Sequence, residues 1–171
     1  MIVLLTGPSN VGKSTVSEQI ARRWRAVHLK VDELRHFIVD DKLRRAEQFQ
    51  RELTHANIMD LLGNYAARGM DVLVDDISAD PEYHTRRMAD YGRIAPASSI
   101  LLMCRRELVL TTRNRFSDTS FMASRLGNTF EGFRRMQAAG AYDWVLDTSD
   151  LTVTETVAAL EDRLRELGGL E

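Results

Sequence analysis

Cysteine is nearly absent from this chain of 171 residues, since Cys104 is the only one. A single cysteine excludes an internal disulfide and a zinc site built from several thiolates of this chain. Long apolar runs are also missing: the longest, residues 2–5 and 100–104, fall far short of the roughly 20 residues that span a bilayer. No charged segment precedes the first run, so we expect no membrane segment and a cytoplasmic location.

An excess of charge of either sign is missing as well, because the formal net charge is -2 at pH 7. Such a balance gives no general attraction to nucleic acid or to an anionic membrane. Lysine is rare, with three among 23 basic side chains, and the others are arginine. A coding bias explains most of these arginines, whereas the fit of the planar guanidinium to phosphate oxygens concerns only those beside a phosphate site.

No repeat, Gly/Ser linker or proline-rich spacer divides the chain, so we expect a single domain over residues 1–171. Short apolar runs typical of buried strands alternate with stripes at helical spacing. The predicted strands are residues 2–6, 27–31, 72–74, 99–103 and 144–146. This order predicts an α/β fold with a parallel sheet, helices on both faces, and ligands beyond the carboxyl ends of the strands.

The turn after the first strand fits G-x-x-x-x-G-K-[ST] in full. Its residues are Gly7, Pro8, Ser9, Asn10, Val11, Gly12, Lys13 and Ser14. Between a strand and a helix this motif indicates a P-loop, because glycines let backbone N–H groups approach phosphate oxygens and the helix N-terminus attracts anions. We therefore expect bound ATP, Lys13 on its β- and γ-phosphates and Ser14 on Mg²⁺. We include Thr15 among the candidate nucleotide-binding residues, although an ordinary helix position without ligand contact is the simpler interpretation.

The P-loop makes the predicted fold a three-layer P-loop NTPase fold with a five-stranded parallel sheet. Asp32 is expected at the end of the second strand, with Arg35 three residues later. A kinase that acts on a hydroxyl needs a carboxylate to orient the O–H and accept its proton, and Asp32 suits that role. The alternatives are a helix N-cap for Asp32 and a surface charge for Arg35.

Two acids, Asp75 and Asp76, end the third strand. A carboxylate there can hold Mg²⁺ or a water of its shell. Successive strand side chains point to opposite faces, so we assign the metal to Asp75 and place Asp76 nearer the acceptor.

A segment around residues 113–130 shows no clear periodicity and contains Arg113 and Arg115. We expect it to act as a lid that brings arginine to the transferred phosphoryl group. A second segment around residues 32–68 is expected to form a helical wall on the acceptor side.

Taken together, these motifs and the final Asp147, Thr148 and Ser149 resemble the chloramphenicol phosphotransferase-like group of P-loop kinases. The resemblance implies that Asp32 is the base, that Arg113 and Arg115 contact the nucleotide, and that Thr148 and Ser149 lie beside the adenine. It implies an ATP-dependent phosphotransferase acting on a small-molecule hydroxyl, with antibiotics among the candidate acceptors.

Two alternatives remain at this point. Polynucleotide 5′-hydroxyl kinases are a related group that shares the Asp-x-x-Arg spacing of Asp32 and Arg35 and needs a basic path for a strand. Residues 32–68 hold seven acids and six bases, which disfavours a nucleic-acid partner. The local cluster of Arg44, Arg45 and Arg51 keeps this alternative open, but a small acceptor is favoured. A regulatory ATPase without a small acceptor is the other alternative. The chain contains no N-K-x-D guanine signature, which argues against a GTPase switch.

Overall fold

The computed structural model describes residues 1–111 and 119–168. Its strands are β1 (Ile2–Thr6), β2 (Val27–Lys30), β3 (Val72–Asp75), β4 (Ala97–Met103) and β5 (Trp144–Asp147). Its helices are α1 (Lys13–Trp24), α2 (Val31–His36), α3 (Asp41–Arg45), α4 (Glu47–Ala66), α5 (Pro81–Gly92), α6 (Arg106–Thr111), α7 (Thr119–Ala138) and α8 (Val153–Glu166). None of the helices described is long and apolar enough to cross a membrane.

The five strands form one sheet in the order β2-β3-β1-β4-β5, and every neighbouring pair is parallel. This arrangement confirms the predicted fold class. Since β1 lies in the middle, the loop that follows it opens between the carboxyl ends of β3 and β4. The register aligns Leu5 with Asp75 and Thr6 with Leu101, which brings these ends to one edge of the sheet.

Both faces of the sheet are covered, as the continuous apolar strands predict. Val3 and Leu5 of β1 pack on one face with apolar residues of α1 and α8. Ile2 and Leu4 point to the other face, where residues of α4 and α5 cover them. The result is a three-layer sandwich with a buried central strand.

Helix α7 differs from the sequence-based expectation. The segment without clear periodicity was expected to extend to residue 130, but the chain is helical from Thr119 onward. Phe130, Phe133 and Met136 are buried against Leu101 and Met103 of β4. Burial against the sheet thus stabilises a helix that the local pattern does not reveal.

Candidate active site

The loop after β1 has a backbone that only its own residue types accommodate. Gly7 has φ +153°, and a Cβ there would lie 2.3 Å from the carbonyl oxygen of Leu102. Gly12 has φ +96° and is the N-cap of α1, while Asn10 has φ 69° in the left-handed region that asparagine tolerates. No described side chain caps α1, and its first turn contains no acid. The N-terminal N–H groups of this helix can therefore receive an anion.

Lys13 lies folded over this loop. Its Nζ donates hydrogen bonds of 2.9 Å to the carbonyl oxygens of Gly7 and Pro8, and the residue is only 8% exposed. Burial lowers the pKa of Lys13, and the charges of Asp75, Asp76 and Asp32 partly oppose that shift. Lys13 therefore shares one electrostatic site with all three acids that the sequence analysis selected.

Ser14 and Asp75 are in direct contact. The Ser14 hydroxyl donates to Asp75 Oδ2 at 2.5 Å, and His28 Nε2 lies 3.5 Å from the same oxygen. Burial raises the pKa of Asp75, but the nearby His28, the hydrogen bond from Ser14 and the charge of Lys13 outweigh it, so the pKa is lowered. The carboxylate is thereby stabilised in its charged form.

This pair of oxygen ligands is of the type that Mg²⁺ prefers. Within residues 1–111 and 119–168, no group of three or more His, Cys, Asp and Glu side chains could hold a metal ion. A site with two protein ligands suits Mg²⁺, because this ion usually keeps several water ligands and also coordinates substrate phosphates. The sequence analysis did not identify His28 as a site residue. What could have indicated its place near Asp75 is its position on β2, the strand that pairs with β3.

Asp32 was expected at the end of β2 but lies two residues beyond it, in the first turn of α2. The N-cap of α2 is Lys30, so the interpretation of Asp32 as an N-cap is wrong. Its side chain is 69% exposed, and Arg35 Nη1 donates to Asp32 Oδ1 at 3.3 Å. The prediction that Asp32 and Arg35 share one helix face is confirmed.

Arg35 also connects this exposed acid to a buried one. Its Nη2 lies 3.8 Å from Asp76 Oδ1, and the other oxygen of Asp76 accepts a 2.5 Å hydrogen bond from Arg87. Arg87 is fully buried and donates as well to the hydroxyl of Tyr91. Burial alone would lower the pKa of Arg87, but Asp76 and Tyr91 outweigh it and raise that pKa. No sequence pattern indicates a buried role for Arg87, because a helix arginine usually lies at the surface.

The loop after β5 is tied to the end of β4. The backbone N–H and the hydroxyl of Thr148 both donate to the carbonyl oxygen of Met103, at 2.7 and 3.0 Å. Ser149 Oγ accepts from the backbone N–H of Arg105 and donates to Asp147. These bonds place the loop at the carboxyl edge of the sheet, and its contact with a nucleotide base stays a prediction. Arg113 and Arg115 lie outside the described residues.

A cleft of about 940 Å³ opens beside the P-loop. Asp32 lines it together with residues of α2, α3, α4, α7 and the segment between β3 and α5. The described lining residues are Ser9, Asp32, Arg35, His36, Arg44, Arg45, Glu47, Gln50, Arg51, Ile77, Ala79, Asp80, Tyr83, Asn128, Thr129, Gly132 and Arg135. The cleft is large enough for a small molecule next to the Asp32 carboxylate.

Comparison with known proteins yields a family and a fold. A family model named AAA_33 and described as an AAA domain matches residues 2–115, which is well over half of the chain. No curated protein sequence matches the chain significantly.

Solved structures of similar fold include several kinases. Shikimate kinase from Bacteroides thetaiotaomicron has a TM-score of 0.70 at 15% identity, with 96% of this chain and 98% of that chain covered. The tunicamycin resistance protein of Deinococcus radiodurans has a TM-score of 0.68 at 17% identity, with 95% and 94% covered. A gluconokinase from Sinorhizobium meliloti 1021 has a TM-score of 0.66 at 18% identity, with 96% and 95% covered. These likenesses show that the chain has the P-loop NTPase fold found in kinases.

Proposed function

Because this chain belongs to the AAA_33 family of AAA domains, we propose that it transfers the γ-phosphoryl group of ATP to a hydroxyl of a small molecule. One observation carries the proposal: the cleft beside the P-loop holds an exposed carboxylate, Asp32, within electrostatic range of Lys13. A P-loop alone serves many nucleotide-binding proteins. A carboxylate beside it, in a cleft of small-molecule size, is what transfer to an alcohol requires.

ATP binding uses the loop and its lysine. The backbone N–H groups of residues 7–14 receive the phosphates, and Lys13 exchanges its bonds to the Gly7 and Pro8 carbonyls for bonds to phosphate oxygens. Ser14 and Asp75 hold Mg²⁺, which when bound neutralises charge on the phosphates. We place Thr148 and Ser149 beside the adenine, whereas the predicted contact of Arg113 and Arg115 with the phosphates falls on residues outside those described.

In the transfer step, the acceptor oxygen forms a bond to the γ-phosphorus while the bond from that phosphorus to the bridging oxygen of ADP breaks. The electron pair of the broken bond leaves with ADP, and the hydroxyl proton passes to the Asp32 carboxylate. Arg35 holds Asp32 through its 3.3 Å hydrogen bond and so limits the orientations of the carboxylate. Lys13 stabilises the negative charge on the transferred group.

The test compares Asp32→Asn with Glu33→Gln. Glu33 is the neighbouring acid of α2, is exposed, and pairs with Lys30 rather than with Arg35. We expect Asp32→Asn to lower kcat about 10²- to 10⁴-fold, the usual contribution of a positioned base, with ATP affinity retained. Glu33→Gln should keep wild-type kcat. Asp32→Asn turnover at the wild-type rate would refute the assignment of the base.

The acceptor is identified by mass spectrometry of products formed from ATP, Mg²⁺ and a panel of metabolites and antibiotics. ADP release that depends on an acceptor and yields a phosphorylated product supports the kinase. ADP release that no acceptor changes, without any phosphorylated product, would instead indicate a regulatory ATPase.

A further inference from the structure

The cleft next to Asp32 is richer in positive charge than the sequence around it. Residues 32–68 hold seven acids and six bases. Most of those acids do not line the cleft, and α7 contributes one further arginine to it. The lining contains five arginines, Arg35, Arg44, Arg45, Arg51 and Arg135, and three acids, Asp32, Glu47 and Asp80. Folding therefore turns a segment without net positive charge into a positively charged wall.

The acids of the cleft pair with only two of its five arginines, Arg35 and Arg51. Asp80 accepts a hydrogen bond from the backbone N–H of Tyr83 as the N-cap of α5. Glu47 is exposed and lies 3.6 Å from Arg51. Asp32 is the proposed base, and its partner is Arg35. No carboxylate of the lining is thus available to Arg44, Arg45 or Arg135.

Arg44, Arg45 and Arg135 have no ion pair or side-chain hydrogen bond with any residue in the described part of the chain. Arginines on outer helix faces behave differently. Arg22, for example, pairs with an acid four residues away at 2.8 Å, and Arg165 pairs with one three residues away at 2.9 Å. Unpaired guanidinium groups from α3 and α7 in the lining of one cleft create a positive potential that favours an anion.

The guanidinium of Arg51 lies over the ring of Tyr83, with Cζ 5.6 Å from the ring centroid. The same ring lies 5.0 Å from the guanidinium carbon of the buried Arg87. A guanidinium held on an aromatic ring loses less side-chain freedom when it binds an oxyanion. Arg51 on α4, held on an aromatic ring of the lining, and Arg135 on α7, without a carboxylate partner among the lining residues, are therefore the candidates for binding such a group.

We propose that the acceptor carries an anionic group, a carboxylate or a phosphate, which Arg51 and Arg135 hold while its hydroxyl faces Asp32. This inference rests on the proposed function, since it names the class of acceptor for the same site. Arg44 and Arg45 add to the positive potential without a fixed partner.

The experiment measures binding and transfer separately. Binding of hydroxy acids and sugar monophosphates to the protein with Mg-ADP is measured by calorimetry, each beside a neutral polyol of equal carbon number. The anionic member should bind roughly ten- to a hundredfold more tightly, the range for hydrogen bonds to charged groups. Arg51→Gln and Arg135→Gln should each remove most of this preference. The matched control Arg134→Gln, an exposed neighbour on α7 outside the cleft lining, should keep it.

Equal binding of neutral and anionic compounds, or a preference that survives both arginine variants, overturns the inference. Phosphorylation of neutral polyols as efficiently as of anions also overturns it, while the proposed kinase stands. Arginine-dependent binding of the anion without any phosphorylated product supports the anion site and refutes the proposed kinase. Affinity for a 5′-hydroxyl oligonucleotide that exceeds that for the small anions and grows with strand length would replace the small acceptor by a polynucleotide.

Discussion

Replacing Arg87 by methionine tests the buried ion pair beneath the cleft. Arg87 is fully buried, and its Nη1 donates to Asp76 Oδ2 at 2.5 Å. Methionine fills similar apolar volume but carries no charge, so the Asp76 carboxylate, 1% exposed, loses its cation. Breaking a buried pair on one side costs about 3–5 kcal/mol, because the remaining charge is desolvated. Arg35, whose Nη2 lies 3.8 Å from Asp76 Oδ1, compensates only in part for the lost hydrogen-bonded cation.

Tyr91 adds to this cost. It is fully buried, and its hydroxyl accepts hydrogen bonds from Arg87 at 3.1 and 2.6 Å. Among the described residues Arg87 is the only hydrogen-bond partner of this hydroxyl, so loss of both donors adds about 1 kcal/mol or more. We therefore expect Arg87→Met to lower the free energy of unfolding by at least about 4 kcal/mol, a large share of the roughly 5–15 kcal/mol typical of a domain.

The measurement is urea unfolding at pH 7 with two companion variants. The double variant Arg87→Met with Asp76→Asn also removes the charge of the Asp76 carboxylate. Its free energy of unfolding should be about 2 kcal/mol higher than that of Arg87→Met alone. The matched control Arg86→Met changes the adjacent arginine, whose side chain is 66% exposed, and should stay within about 0.5 kcal/mol of wild type. A double variant no more stable than Arg87→Met alone would refute the reasoning.

Two further predictions concern the loop and a buried histidine. Gly7→Ala should abolish ATP binding in calorimetry, because its Cβ would lie 2.3 Å from the Leu102 carbonyl oxygen. The matched control is Gly63→Ala, where a Cβ on α4 meets no atom within 4 Å. This control should bind ATP normally and gain about 0.5–1 kcal/mol of stability. Wild-type ATP affinity in Gly7→Ala would contradict this account of the loop. Burial lowers the pKa of His84, although a hydrogen bond from its Nε2 to the Ala141 carbonyl oxygen opposes that shift. The unfolded chain therefore binds more protons than the folded chain in this pH range. The free energy of unfolding thus falls as the pH drops below about 6.5. In His84→Gln, the urea midpoint should fall less steeply between pH 7 and pH 5 than in the wild type. An unchanged pH dependence of the midpoint would show that other groups cause the loss of stability.

The parts of the molecule that were predictable are those that depend on neighbours in sequence. The P-loop is contiguous, and its glycine spacing follows directly from backbone geometry. The strands are short apolar runs with alternating helices, which sufficed for the parallel sheet. The contrast between Asp75 and Asp76 also follows a local rule, since adjacent strand residues point to opposite faces. The structure places Asp75 at Ser14 and Asp76 at Arg35.

The parts that sequence reasoning missed depend on contacts between distant segments. Arg87 follows another arginine on α5, and nothing local distinguishes the buried one from the exposed one. The first half of α7 has no clear apolar stripe, and its helix is stabilised by packing of later turns on β4. The charge of the cleft was misjudged because a count over residues 32–68 treats all side chains alike, whereas only those facing the cleft act on a ligand.

The buried pair also bears on the proposed phosphoryl transfer, because Asp76 joins it through Arg35 to Asp32, the proposed base. Arg87 holds one oxygen of Asp76, the other oxygen lies 3.8 Å from Arg35, and Arg35 in turn bonds Asp32. If this chain of contacts positions the base, folded Arg87→Met protein assayed well below its melting temperature should show a lower kcat with unchanged ATP affinity. A purely structural role predicts normal kcat in the folded fraction. The comparison therefore separates the stability of the core from the orientation of Asp32.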